Sequence, residues 1–149
     1  MEQDRVSLLV RKLAKILLII VIALIVGAAV FAFFKIRVDA KAALRDAKNV
    51  RMALRSVDVE MYAMSKTIYN PLEKNGLEKG VKEKADSIFI SDGNYSITSY
   101  DTSHHELTGL TYRTGNYVVY FSKTGDNIRW SVNYILNVYM FDESDVVVD

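Results

Sequence analysis

Hydrophobic positions fall into three successive regimes along the chain. Residues 16–34 form an apolar run that only Gly27 interrupts. From Ile36 the apolar positions open out to alternating spacings of four and three, through Ala40, Ala43, Ala47, Val50, Leu54, Val57, Met61, Met64 and Ile68. That spacing places one continuous apolar stripe along a helix. No Pro, and no Gly after Gly27, breaks the chain before Pro71, so the helix is expected to continue to about Tyr69. Residues 70–87 are charged, carry Pro71, Gly76 and Gly80, and read as a surface connection with one short helix near 77–86. After them the period falls to two. Strands are expected at 95–100, 106–113, 117–123 and 128–139, separated by Thr114-Gly115-Asn116 and Thr124-Gly125-Asp126-Asn127.

These regimes define five segments: a basic leader at 1–15, a transmembrane helix at 16–34, an amphipathic helix at 35–69, a charged connection at 70–87, and a sheet head with an acidic tail at 88–149. The fold class is α+β. One long N-terminal helix packs on a small antiparallel meander of about four strands, because the distal stripe is the one long apolar surface able to cover the sheet. Val50, Leu54, Val57, Met61, Met64 and Ile68 are the helix side of that core, and Trp130, Val132 and Tyr134, with Leu136, the sheet side. The tail from Asp142 is expected to fray.

Nineteen uncharged residues at about 1.5 Å each span roughly 28 Å, close to the hydrocarbon thickness. An uncleaved anchor is the first reading. A cleaved signal peptide, cut near Gly27 and Ala28, is the alternative. Within the span, Ala23, Gly27, Ala28 and Ala32 place small residues one turn apart, where another helix could approach closely. Ala40, Ala43 and Ala47 extend that character beyond the membrane and are the expected assembly face of the amphipathic helix. Orientation is not fixed by charge: four Lys and Arg lie on the N-terminal side of the span and five within a comparable distance on the other. The expected arrangement is single-pass, with the N-terminus cytoplasmic and the head extracytoplasmic.

Composition removes several classes of chemistry. There is no Cys, hence no disulfide, thiolate metal site or thiol nucleophile. The basic face between residues 35 and 55, with Lys35, Arg37, Lys41, Arg45, Lys48, Arg51 and Arg55, suits anionic lipid or simple solvation. The aromatics lie elsewhere, so nucleic acid is not an expected partner. His104 and His105 are the only histidines, in Asp101-Thr-Ser-His-His-Glu106. Adjacent residues point apart, so a polar turn is expected, not a triad or metal site. No enzyme activity, cofactor, metal or small-molecule substrate is expected.

The succession of basic leader, apolar run at 16–34, amphipathic helix through Ile68, loop and small sheet resembles the type IV pilins and type II secretion pseudopilins. Arg5-Val6-Ser7-Leu8-Leu9-Val10 echoes their processing motif, without its Gly and with Val10 where its Glu would stand. The resemblance implies membrane lipid and other pilin-like subunits as partners, and an accessory protein of a pilus or secretion assembly acting by lateral helix packing. The alternative is a membrane-tethered extracytoplasmic module that recognises a protein or glycan through its aromatic sheet, with Tyr117 and Trp130 as contacts.

Overall fold

The structure, a computed structural model, describes residues 2–135 and 138–146. The chain divides into two units, Met1–Val38 and Asp39–Asp149. The first is helical throughout its described length, including the basic leader. It belongs to α1, which runs from Glu2 to Ala63. Its large apolar side chains from Leu8 to Phe34 are exposed. By length and composition this part of α1 can cross a membrane.

In the second unit α1 ends six residues before the sequence predicts. The Lys66 N–H donates to the Met61 carbonyl, the Ser65 N–H to the Tyr62 carbonyl, and Ser65 takes φ 56°. This pair of bonds closes a helix C-terminus in the Schellman manner, with a residue in the left-handed region just past the end. That position is usually Gly because a Cβ is strained there. Ser65→Gly should therefore raise the stability of the unit by roughly 0.5–1 kcal/mol, read as a higher unfolding midpoint of the fluorescence of Trp130, the one tryptophan.

Two further consequences follow from the early stop. Met64, expected in the core, is exposed, while Ile68 is fully buried but on the segment after the helix. A short helix, α2, follows at Val81–Ile88 and buries Val81 and Ala85.

The sheet has five antiparallel strands in sequence order: β1 Asn94–Asp101, β2 Glu106–Thr114, β3 Tyr117–Thr124, β4 Asn127–Tyr134 and β5 Val138–Val146. Gly115 (φ 51°) and Gly125 (φ 58°) open the two-residue turns on either side of β3, the position at which a hairpin of this kind demands positive φ. The expected fourth strand, 128–139, divides in two: β4 stops at Tyr134, and β5 runs back along it, with Trp130 opposite Glu143 and Val132 opposite Phe141. Leu136 lies outside the described residues. The acidic tail is thus a strand at least as far as Val146, and two of its charges have partners. Asp142 pairs with Arg129 on β4, and Glu143 with Lys48 on α1.

One face of the sheet carries two rows across the strands. Tyr95, Tyr112, Val119 and Val132 form one, and Ile97, Leu110, Phe121, Trp130 and Glu143 the other. Except for Glu143, these side chains are buried. They meet α1: the Lys48 ammonium lies 5.9 Å from the Trp130 ring and the Arg51 guanidinium 4.4 Å from the Phe121 ring. The buried helix stripe is broader than predicted, since Leu44 and Ala53 join Val50, Leu54, Val57 and Met61. Tyr134 is only half-buried and meets Tyr117 edge-on at 5.3 Å.

Ala40, Ala43 and Ala47 are 0%, 2% and 0% exposed. They are core of their own unit and not an assembly face for a neighbouring helix. The sheet aromatics supply the bulk that the alanines lack. Trp130 is one; Tyr117 is another, its phenol pKa raised by burial and then by the Asp39 carboxylate. The same burial withdraws Tyr117 and Trp130 as contacts for an outside ligand.

Candidate functional site

The candidate site lies where the distal turns of α1 meet the β1–β2 hairpin. Five helix residues, Arg51, Arg55, Asp58, Val59 and Tyr62, face the hairpin from Ser103 to Leu107 across a cleft of about 410 Å³. That volume falls in the range of small-ligand sites. A second cavity, about 660 Å³, shares Tyr62 and His105 with the first and reaches Ser65, Thr67 and Tyr100.

The hairpin turn is locked by one carboxylate. Asp101 Oδ1 accepts from the backbone N–H groups of Ser103 (2.9 Å) and His104 (3.2 Å) and from the Ser103 hydroxyl (2.6 Å). Its Oδ2 meets His104 Nδ1 at 2.7 Å. These bonds from Ser103 and His104 hold the Asp101 carboxyl well below the usual range. Asp, Ser and His do converge here, but the serine hydroxyl donates to the aspartate and not to the imidazole. A nucleophilic serine needs the reverse, its hydroxyl against the base. The arrangement is a turn lock.

His105, at φ 49°, turns the other way and lays its ring 4.4 Å from that of Tyr62 on α1. The two histidines thus have different partners, though both line the cleft. Among the described residues, no three His, Asp or Glu side chains converge on a metal site.

Asp58 was not singled out by the sequence and is the most consequential polar residue here. It is 5% exposed, the one buried charged residue among those described. Burial raises its pKa, and hydrogen bonds from Tyr100 and the Ile68 backbone together with the charge of His105 limit the rise. The Tyr100 hydroxyl donates at 2.8 Å, and its own pKa is pushed up to about 12 by burial and by this bond. Tyr69 stacks on the other side of Tyr100 at 5.8 Å.

The remaining charges are unevenly matched. Glu106 pairs with Lys123. Lys48, Arg45 and Arg129 also have acidic partners. Arg51 and Arg55, one helical turn apart, have none within 4 Å among the described residues. Burial and then the neighbouring Arg55 charge lower the pKa of Arg51, and the Glu106 charge partly offsets them. In the first unit, Ala23, Gly27, Ala28 and Ala32 lie on exposed helix, and a Cβ at Gly27 would meet no atom within 4 Å.

The chain matches no known protein family, no curated protein and no solved structure.

Proposed function

We propose that this chain is a membrane-anchored, non-enzymatic subunit of pilin or pseudopilin type, an accessory component that associates laterally with copies of itself or with related subunits. The observation that carries the reading is the division of labour along α1. Residues 40–61 bury their stripe within their own unit, while the side chains from Leu8 to Phe34 are exposed along a length that suits a bilayer. Lipid satisfies that surface in one state and neighbouring helices in another, with Ala23, Gly27, Ala28 and Ala32 allowing close approach. With Ala40, Ala43 and Ala47 already covered, lateral contact falls to the apolar half of the helix. In the same reading the N-terminus is cytoplasmic and the sheet head extracytoplasmic.

Because the chain has no native Cys, the test is direct. A chain carrying both Ala23→Cys and Ala28→Cys has thiols on well-separated faces, so oxidation in the native membrane should give a ladder of covalent oligomers. Monomers alone would refute lateral assembly. Ser103→Cys, in the exposed hairpin, should react with a membrane-impermeant maleimide on intact cells. Protection until lysis would refute the orientation.

A further inference from the structure

We propose that the cleft between α1 and the β1–β2 hairpin binds the oxyanion of a small molecule, a phosphate or carboxylate group seated between the guanidinium groups of Arg51 and Arg55. The argument begins from what these two side chains lack. Like charges at i and i+4 on a helix repel, and a chain under no other demand would place an acid or a neutral residue at one of them. Two acids line the same cleft, and each has another partner. Glu106, whose charge also acts on Arg51, is paired with Lys123, and Asp58 is buried and accepts from Tyr100. No protein acceptor among the described residues takes a hydrogen bond from either guanidinium.

Arg51 is also prepared in orientation. Its guanidinium is half-buried and lies 4.4 Å from the Phe121 ring. Packing on an aromatic ring restrains the group while leaving its N–H edges for a planar or tetrahedral oxyanion, the bidentate geometry that distinguishes Arg from Lys. Arg55, one turn further along, reaches the same cleft. Across it stands the hairpin, where the Ser103 hydroxyl donates to Asp101 and His104 Nδ1 meets the same carboxylate, so the two guanidinium groups are the donors that an oxyanion would meet. The adjoining cavity, across the Tyr62–His105 contact, gives the remainder of the ligand room. This inference is independent of lateral assembly, because it concerns the head and not the apolar half of α1.

The two histidines are the only ones in the chain and both line the cleft, so their imidazole resonances report on it. The full-length chain in neutral detergent micelles is titrated with inorganic phosphate and, separately, with glucuronate, at constant pH and with chloride exchanged to hold ionic strength. A saturable shift of His104 or His105 is expected with at least one probe. Saturation by phosphate alone assigns a phosphate ligand, and by glucuronate alone a carboxylate. In Arg55→Gln, whose side chain is exposed, the apparent affinity should fall at least fivefold with the Trp130 unfolding midpoint unchanged. Arg51→Lys keeps the charge but removes the fork, and it should weaken binding as well. Shifts that are absent or linear with both probes would overturn the proposal, as would saturation that is the same in both variants as in the native chain.

Discussion

Leu54→Ala is expected to destabilise the head by about 3 kcal/mol, because Leu54 is 0% exposed at the centre of the helix–sheet core and the cavity left behind adds to the lost transfer energy. The size of the effect depends on how far the surroundings can collapse, and here they are stiff: Val50 and Val57 flank the site on α1, and the sheet rows opposite are held by pairing on both sides. Met52→Ala supplies the contrast. Met52 is two residues away on the same helix but 67% exposed, and its truncation should change stability by less than about 0.5 kcal/mol. Urea unfolding of the full chain in detergent, followed through Trp130, separates the two. Equal losses would mean that α1 does not pack on the sheet through this face.

Tyr100→Phe should cost about 2 kcal/mol near neutral pH, the usual worth of a hydrogen bond to a buried charged group. The stacking with Tyr69 is kept, so the loss isolates the hydroxyl. Its dependence on pH follows from Asp58. A carboxyl whose pKa is higher in the folded state than in the unfolded chain binds protons more readily when folded, so its contribution to stability falls as the pH rises through that raised value. The Tyr100 bond limits that fall. Without it the folded pKa of Asp58 climbs further, so the penalty should be larger at about pH 7 than at about pH 4. The same fluorescence-detected unfolding at both values tests this, and a penalty independent of pH would place the hydroxyl's role elsewhere than on the Asp58 charge.

Periodicity made the helix and the meander legible, because both are local patterns that a single stretch of chain displays. The end of the helix was not. Met64 and Ile68 continue the three-and-four spacing, and nothing in Ser65 announces a left-handed residue as Gly would. β5 was hidden for a related reason. Asp142 and Glu143 read as a solvated tail until their partners are known, and Arg129 and Lys48 come from another strand and from α1. The alanines misled in the other direction: small residues on a helix fit a neighbouring helix or a sheet of large aromatics equally well, and only the sheet's position distinguishes the two. As for the cleft, Arg51 and Arg55 were visible as part of a basic face and His104 and His105 as a turn. Their meeting depends on contacts such as Asp58 with Tyr100, 42 residues apart, which no local pattern encodes.

Strand order in space is the order in sequence, β1 through β5, each joined to the next by a short antiparallel connection. Every strand after β1 therefore finds its partner already made when it leaves the ribosome, and the sheet can grow by successive addition with small loop-closure entropy at each step. α1 is synthesised first and offers its apolar stripe as a template through the whole process. β5, the strand made last, brings Glu143 to Lys48 and so ties the final stretch of chain to the earliest part of the head. Loss of that closing strand would leave β4, which carries Trp130, as an open edge, the kind of unprotected border at which chains stick to one another.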